Sequence, residues 1–293
     1  MKRLTIAVAV GVIAAPAFSQ NAARGGGPNP EAIAAARALP TPRMPDGKPD
    51  LTGFWSTRAA FGAGQNVVSE DGKKIEFQIA PSFADSRAAR AGGGGRAGGA
   101  AAPPPPGGGE PNPTYKPQLL AKVDRLAKTD VDTDPSFVCN PNGTPRAGAP
   151  GEIFQSKDAV ALLYDSRNDY RVIPTHAGAR HDPQRDPSWY GDSIGRWEGD
   201  TLVVDTVNIT DESWLAGAGR FHSDQLKVTE RFTREGNTLR YEVRVEDPVV
   251  LVKPWVMVPR TILLGKSGDH LVEDEPCHER DQKHMVDKFH ITP

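Results

Sequence analysis

The sequence predicts a mainly β protein in which antiparallel strands form a β-barrel or a β-sandwich. From residue 152 onward, short runs rich in Val, Thr and aromatic residues alternate with turn sequences rich in Gly, Asn, Asp and Pro. Many short strands separated by such turns are typical of these two architectures. In addition, three pairs of runs flank short turn sequences, two of them EGD and EGN, as the strands of a β-hairpin do.

The predicted strands form three hairpins and then three further strands. In chain order they cover residues 159–164 and 170–174, 194–197 and 201–209, 226–234 and 238–246, and finally 249–258, 261–264 and 270–275. The second hairpin contains the most patterned stretch of the chain, GRWEGDTLVVDT. Its Gly199 supplies the conformational freedom that a tight turn needs, and Asp200 tolerates the turn geometry. Because the stretch matches no catalytic motif, it predicts local structure and not an active site.

The first 19 residues have the form of a secretory signal peptide. Lys2 and Arg3 precede a short apolar run that extends from Leu4 to Ala15, and small residues precede the expected cleavage after Ser19. The apolar run is too short for a transmembrane helix. We therefore expect a periplasmic or secreted protein whose mature form has no membrane span.

Long low-complexity segments accompany the β-rich region. Residues 20–50 are rich in Ala, Gly and Pro and predict a flexible leader with one short helix at 31–39. Residues from about 88 to 113 contain GGGGRAGGAAAPPPPGGG, have little to bury, and predict a disordered insertion. An amphipathic helix is predicted at 116–128. With this insertion, residues 51–293 are expected to form a single β-rich domain.

Charge and cysteine content limit the partners and cofactors. A formal net charge of -2 gives no electrostatic reason to bind nucleic acid or an acidic membrane surface. The two cysteines, Cys139 and Cys277, are expected to form a disulfide because an exported chain meets an oxidising compartment. Two unrelated buried thiols are the alternative. No HExxH, cysteine-pair or facial-triad spacing is present, so we predict no metal and no other cofactor.

Three motifs resemble a large group of exported bacterial proteins. They are PDGKPDLTGFW (residues 45–55), WYGDSIGRWEGDTLVVD (189–205) and VTERF (228–232). The resemblance covers about residues 42–56 and 137–280, and the Gly- and Pro-rich insertion departs from the shared pattern. No activity is generally assigned to that group, so the resemblance implies no function.

A shorter motif resembles the opening of lipocalin-like barrels. In those proteins a G-x-W sequence places a Trp that plugs one end of the barrel. Here Gly53, Phe54 and Trp55 have this form, as does GRW at residues 195–197. The resemblance implies a lipocalin-like β-barrel, in agreement with the predicted strands.

Charged residues on apolar strand faces are the first candidates for a functional site. Alternation along the strands places Asp205, Glu230 and Arg260 on faces that otherwise carry apolar side chains. Buried charges without partners are costly, so we expect these three side chains in one polar cluster. The cluster is either a structural ion-pair network or a site in which Arg260 binds a ligand oxygen and one carboxylate moves protons. By contrast, the charges of residues 238–246 alternate with apolar residues and are expected to face solvent.

Loop histidines and aromatic residues near turns are further candidates. His176, His181 and His222 lie in predicted loops, where each is either a proton-transfer group or a solvated side chain. Large aromatic rings beside turns and strand ends either plug the core or line a mouth that stacks a planar ligand. The aromatic candidates are Trp189, Tyr190, Trp214 and Trp255.

These observations predict an exported protein that binds a small apolar or aromatic molecule in a mostly apolar pocket. Two other hypotheses stay open. The first is a cofactor-independent lyase, isomerase or hydrolase on the same barrel, in which Asp205 or Glu230 transfers protons together with a histidine. The second is an envelope interaction module without a pocket.

Overall fold

A computed structural model describes residues 30–55, 66–68, 74–76, 109–110, 112–129, 133–165 and 167–273. This part of the protein is mainly β, with antiparallel sheets and few helices. Cys277, the signal peptide and residues 88–108 of the insertion lie outside it, so the expectations for them, including the disulfide with Cys139, stay predictions. None of the helices in these ranges is both long and apolar enough to span a bilayer.

In the part of the chain that the structure describes, two complete α-helices flank the sheets. Helix α1 is formed by Pro30–Arg37, and helix α2 is formed by Leu120–Lys128 after a 3-10 turn at Pro117–Leu119. Helix α2 packs Val123 and Leu126 against the core, which confirms the amphipathic helix predicted there.

The strands form two larger sheets and two small hairpins, all antiparallel. The four-stranded sheet has the order β1 (Gly53–Phe54), β4 (Glu152–Gln155), β5 (Ala159–Leu163) and β6 (Tyr170–Pro174). The six-stranded sheet begins with β7 (Asp192–Glu198), β8 (Thr201–Val207), β11 (Lys227–Glu235) and β12 (Thr238–Glu246), in this order. Its remaining strands, β13 (Trp255–Val256) and β14 (Arg260–Leu263), both pair with β12. The small hairpins are β2 (Asn66–Val68) with β3 (Lys74–Glu76) and β9 (Trp214–Ala216) with β10 (Arg220–Phe221).

The GRWEGDTLVVDT stretch forms the β7–β8 hairpin, as predicted. Pairing continues to Glu198 and Thr201, so Gly199 and Asp200 alone make the turn, and Gly199 has a φ of 61°. Both guanidinium Nη atoms of Arg43 donate to the Asp200 carboxylate, at 2.9 and 2.7 Å. The patterned sequence is therefore explained by a tight turn and its ion pair.

Residues 30–50 pack against hairpin turns, whereas the sequence predicted a flexible leader for residues 20–50. The Asn237 N–H donates to the Ala36 carbonyl at 2.9 Å, and the Gly236 N–H donates to Thr41 Oγ1 at 2.8 Å. A Cβ on Gly236 would lie only 2.3 Å from the Ala36 carbonyl oxygen. The segment thus depends on a glycine in the β11–β12 turn for its close approach.

The apolar core lies between the inward faces of the two larger sheets. Its largest fully buried side chains include Trp55, Phe232, Ile153 and Leu202. The Trp55 indole N–H donates to the Leu51 carbonyl at 2.9 Å, so the ring is buried with its polar atom satisfied. Trp197, from the second G-x-W sequence, is only half-buried on the β7–β8 hairpin.

The charged residues of β12 face outward, as predicted. Arg240 pairs with Glu242, and Arg244 pairs with Glu246, on the half-buried to exposed face of the sheet. Their alternation with the buried residues Tyr241, Val243 and Val245 is the pattern expected of a strand with one solvated face.

Two predicted strands are absent or shortened. In residues 249–258 only Trp255–Val256 is a strand, because the Asp247 carboxylate accepts the N–H groups of Val249 and Val250 and forms a turn. Residues 270–273 form no strand, since the Leu271 N–H donates to the Glu152 side chain at 3.0 Å. In both places a buried carboxylate takes the backbone N–H groups that strand pairing would use.

Candidate functional site

A buried ion pair connects the two larger sheets. Arg171 on β6 donates from Nη1 to Glu230 Oε2 on β11 at 2.6 Å, and the two side chains are 4% and 1% exposed. The hydroxyl of Tyr241 on β12 donates to the other Glu230 oxygen at 2.8 Å. Each carboxylate oxygen therefore has a donor, which is the condition under which a buried charge is tolerated.

The remaining contacts of Arg171 complete this polar cluster. Nη2 donates to Ser193 Oγ on β7 at 2.8 Å and to Thr206 Oγ1 on β8 at 2.9 Å. Nη1 also donates to the Tyr164 hydroxyl at 3.0 Å, and burial raises the pKa of Tyr164 to about 12. Burial by itself would lower the pKa of Arg171. The charge of Glu230 and the hydrogen bonds of the cluster outweigh this effect and raise the pKa above its ordinary value, so the guanidinium stays charged.

The cluster confirms the inward position of Glu230, but the ion-pair partner of Glu230 is Arg171, and Asp205 lies elsewhere. Asp205 faces outward, is 32% exposed, and accepts from Arg196 and from Thr229 Oγ1. The face assignment for Asp205 was wrong because Leu202, Val203 and Val204 are all buried, so apolarity does not distinguish the two faces of β8.

Arg260 neighbours the cluster through Tyr241, which lies opposite it in the strand register and interacts with it electrostatically. It is half-buried, with Nη1 close to Gly148. Burial lowers the pKa of Arg260. The cation that pairs with Glu230 is thus Arg171, which the sequence argument did not consider.

A cleft of about 390 Å³ lies between β6 and the segment that leads into β7. Arg171 and Ser193, which are buried, form its floor and belong to the polar cluster. Three aromatic residues, Tyr170, Trp189 and Tyr190, also line it, together with the charged residues Asp169 and Arg185. The cleft therefore leads from the surface to the buried ion pair.

Two N–H groups that belong to cleft residues have no hydrogen-bond partner among the described residues. The Trp189 Nε1–H and the Arg171 Nε–H are both buried, and no described residue accepts from either. Buried donors are normally satisfied, because an unsatisfied one costs about 1–3 kcal/mol. Both nitrogen atoms are shielded from water, so they are not part of the open surface of the cleft.

A glycine, Gly143, lies against the backbone of Trp189. The Trp189 carbonyl oxygen accepts a hydrogen bond from the Thr144 N–H at 3.1 Å. A Cβ on Gly143 would lie 2.6 Å from that oxygen, and Gly143 has a φ of 69°. Gly143 therefore permits the close approach that fixes the Trp189 wall of the cleft.

Asp169 is placed by the turn between β5 and β6. Arg167 and Asn168 adopt positive φ angles of 65° and 58°, and the Tyr164 N–H donates to the Asp169 carbonyl at 2.9 Å. The Tyr190 hydroxyl donates to Asp169 Oδ2 at 2.9 Å. Burial raises the pKa of the Asp169 carboxyl, an effect that the Tyr190 hydrogen bond and the nearby Arg167 charge oppose.

The two tyrosines beside the cleft support each other. The rings of Tyr164 and Tyr190 stack with their centroids 5.2 Å apart and an interplanar angle of 25°. Burial, followed by the charge of Asp169, raises the pKa of Tyr190 above its ordinary value. Tyr190 is therefore protonated at neutral pH and acts as a donor toward Asp169.

Of the three predicted histidines, His181 is the one that shares a partner, Asp192, with a residue of the cleft. Its Nδ1 is 3.1 Å from Asp192 Oδ2, and the other carboxylate oxygen pairs with the cleft residue Arg185 at 3.0 Å. His176 is exposed in the loop after β6. Neither histidine contributes to the lining of the cleft.

His222 forms a separate buried pair with Ser213. Ser213 Oγ lies 2.9 Å from His222 Nε2, and His222 Nδ1 lies 2.9 Å from the Ser223 carbonyl oxygen. A carbonyl oxygen only accepts, so Nδ1 carries the proton and neutral Nε2 accepts from the serine. Burial lowers the pKa of His222, which favours this neutral form.

The four aromatic candidates divide into two groups. Trp189 and Tyr190 line the cleft, as the ligand-binding hypothesis expected. Trp214 and Trp255 are buried in the core, and the Trp255 indole N–H donates to the Glu110 carbonyl at 2.7 Å. Within the described ranges, no group of three His, Cys, Asp or Glu side chains converges as a metal site would require.

Arg171, Asp169 and Ser193 were not among the predicted site residues. Arg171 shares a strand face with Ile173, so the alternation applied to the other strands would have identified it as an inward charge. Asp169 and Ser193 carry no such signal, because their position at the cleft depends on how β6 and β7 pack.

No family model matches this chain, and searches of curated proteins and of solved structures find no match either. The function is therefore inferred from the chemistry of the cleft.

Proposed function

We propose that this protein binds a small molecule in the cleft between β6 and β7, and that the ligand combines a planar apolar part with a hydrogen-bond acceptor. The observation that carries the proposal is the lining of the cleft, which combines the aromatic residues Trp189 and Tyr190 with the charged residues Asp169 and Arg185. Aromatic surfaces with a few polar groups are the usual lining of small-molecule sites.

The size of the cleft supports a small ligand. A volume of about 390 Å³ falls near the lower end of the range of small-molecule sites. The rings of Trp189 and Tyr190 offer surfaces on which a planar group can stack. These features favour a single-ring compound over a long-chain lipid.

The polarity of the cleft is higher than the sequence predicted. Arg171, Ser193, Asp169 and Arg185 contribute charged or hydroxyl groups to a site that was expected to be mostly apolar. Their mixture of donors and one carboxylate favours a ligand with an oxygen function and not a plain hydrocarbon.

A lipocalin-like barrel is the architecture that we propose for this binding site. On one side, β6 of the four-stranded sheet lies near β7 of the six-stranded sheet. On the other side, the Gly265 N–H donates to the Phe54 carbonyl of β1 at 2.8 Å. The two sheets thus approach each other at both pairs of edges, with the cleft at one of them.

Export to the periplasm or the medium is also part of the proposal. It is supported by the basic start, the apolar run and the small residues before Ser19. Location outside the cytoplasm would give the cleft access to small molecules taken up from the surroundings.

Ligand-observed NMR with phenylacetone tests the binding proposal, because this probe has one aromatic ring and one carbonyl oxygen. We expect saturation transfer from the protein to phenylacetone, and a weaker effect on propylbenzene, which lacks the acceptor. Trp189→Ala removes one aromatic surface of the cleft, so affinity for phenylacetone should fall about twofold to tenfold, the value of one aromatic contact.

Trp197→Ala is the matched control, because this tryptophan lies on the β7–β8 hairpin and not in the cleft. Its affinity for phenylacetone should equal that of the unmodified protein. Equal affinities for all three proteins would show that Trp189 takes no part in binding.

A further inference from the structure

The outward face of the four-stranded sheet is apolar, unlike that of the six-stranded sheet. Phe154 of β4, Ala161 of β5 and Val172 of β6 lie opposite one another in the register and form one row across three strands. Phe154 is 46% exposed and Val172 is 60% exposed. By contrast, the outward face of β12 carries paired charges such as Arg240 and Glu242. The solvated face of an antiparallel sheet is normally polar, so the four-stranded sheet has the composition of a covered face.

A second row extends this surface toward one end of the sheet. Tyr170, which is exposed, lies opposite Leu163, and Leu163 lies opposite Glu152. Tyr170 also lines the cleft, whereas Leu163 and Phe154 do not. The cleft therefore does not account for the apolar residues of β4 and β5. The apolar face consists of Phe154, Ala161, Leu163, Tyr170 and Val172.

The described chain ends beside the apolar face. Glu152 shares its side of β4 with Phe154, yet it is buried. Its Oε1 lies 2.6 Å from His270 Nδ1, and its Oε2 accepts from the Leu271 N–H at 3.0 Å. The chain is thus fixed on the outward side of this sheet two residues before the described part stops at 273.

The size of the apolar face limits what can cover it. Three strands about 4.8 Å apart and five residues of about 3.3 Å each give roughly 14 by 17 Å, or about 240 Å². A stable protein–protein interface buries about 800 Å² on each partner, so the face by itself is too small for a second copy of the chain. An extended segment of about five to seven residues has the length of the face.

A segment of this composition follows in the sequence. Residues 273–284, EDEPCHERDQKH, are mostly charged or polar. Residues 285–291, MVDKFHI, include four apolar side chains, Met285, Val286, Phe289 and Ile291. The chain from Leu271 to Met285 can span about 46 Å when extended, at about 3.3 Å per residue. That reach exceeds the length of the apolar face.

We propose that residues 285–291, which lie outside the described part of the chain, pack their apolar side chains on the apolar face. The chain would then cover its own four-stranded sheet, with the contacts of Glu152 as the point where the covering segment arrives. This inference is independent of the proposed cleft ligand.

The expected disulfide agrees with this placement, although the proposal does not require it. Arg167 in the β5–β6 turn donates from Nη2 to the Ser136 carbonyl at 2.7 Å and from Nη1 to the Asn140 carbonyl. Cys139 therefore lies beside that turn, at the end of the sheet where the described chain arrives. A bond from Cys139 to Cys277 would hold the chain at this end, within reach of the apolar face.

Site-specific photocrosslinking in the full chain tests the proposal. Phe154 is replaced by the photoreactive analogue benzoylphenylalanine, which keeps an aromatic ring on the apolar face. On irradiation we expect a crosslink within one chain to residues 285–291, identified by mass spectrometry of the digested protein. The control places the same analogue at Val256, which is also exposed but lies on β13 of the other sheet. No crosslink to residues 285–291 is expected from there.

A reciprocal experiment places the analogue at Phe289. We expect crosslinks from this position to β4, β5 or β6. The experiment leaves the described sheets unmodified, so it decides the question even where the Phe154 variant fails to fold. A thermal melting curve like that of the unmodified protein verifies the fold of each variant.

A pair of substitutions tests whether the apolar side chains hold the segment in place. With the analogue at Phe154, Phe289→Ser removes the largest apolar side chain of the segment. The crosslinked fraction should fall about tenfold or more, since burial of one phenylalanine changes an equilibrium by at least that factor. Lys288→Ser is the matched control, and it should leave the crosslinked fraction unchanged.

The other outcomes overturn the proposal. Crosslinks between two chains, seen as a dimer on a denaturing gel, would show that a second copy covers the face. Crosslinks that fall only within residues 274–284 would assign the wrong segment, and no crosslink between the face and residues 285–291 from either position would show that the segment does not cover it. None of these results bears on the cleft ligand, because Phe154 lies outside the cleft lining.

Discussion

Replacing Arg171 by Met should be among the most damaging single substitutions in the chain. Arg171→Met leaves the Glu230 carboxylate, 1% exposed, with the Tyr241 hydroxyl as its remaining donor from the cluster. It also removes donors from Ser193 and Thr206, which keep their mutual contact at 3.0 Å. Removing one partner of a buried ion pair costs about 3–5 kcal/mol. That loss is a large fraction of the roughly 5–15 kcal/mol that stabilises a typical domain.

Urea denaturation followed by circular dichroism at pH 7 measures this loss as the difference in the free energy of unfolding between Arg171→Met and the unmodified protein.

Two comparisons make this prediction specific. Arg196→Met breaks an exposed ion pair with Asp205, and such pairs contribute about 0–1 kcal/mol, so this variant should remain nearly as stable as the parent. The double variant Arg171→Met with Glu230→Gln should be less destabilised than the sum of its single changes, because no buried charge is left alone. An Arg171→Met protein within about 1 kcal/mol of the parent at pH 7 would refute the ion-pair argument.

Two further predictions concern the insertion and the buried histidine. Deleting residues 88–108 should leave a cooperative melting transition, because that composition offers little to bury. Extending the deletion to residue 113 should lower the melting temperature, because it removes the hydrogen bond from the Trp255 indole N–H to the Glu110 carbonyl. Loss of cooperativity in the shorter deletion would contradict this boundary. Burial lowers the pKa of His222, so the native state binds fewer protons than the unfolded chain below about pH 6.5, and stability is lost as the pH falls through that region. His222→Gln should make the free energy of unfolding less sensitive to pH between 7.5 and 5.5, and an equal pH dependence in urea denaturation would argue against a depressed pKa.

The hairpins were predictable because their signals are local. Gly199 and Asp200 define one turn, and alternation along β12 separates the outward Arg244 from the inward Val245. A tight turn and a period of two are properties of a few neighbouring residues. Sequence alone was therefore sufficient for most of the six-stranded sheet.

The site was less predictable because it is assembled across the sheets. Glu230 was correctly placed inside, but its partner Arg171 comes from a strand 59 residues away. Asp205 was misplaced because its strand carries buried residues on both faces. Trp189 and Tyr190 were identified as aromatic candidates, yet the cleft between them and Asp169 exists only through the packing of the β5–β6 turn against the segment before β7.

The indole N–H of Trp189 offers the most direct measurement of the central claim, which is ligand binding in the cleft. The chain contains five tryptophans, whose indole N–H groups are separate signals in a ¹H–¹⁵N NMR spectrum once assigned by substitution. Addition of phenylacetone should move the Trp189 signal, because this residue lines the cleft in which the ligand binds. The Trp55 signal should stay in place, because that ring is buried in the core and its N–H donates to the Leu51 carbonyl. A Trp189 signal that does not move at saturating phenylacetone would contradict the account.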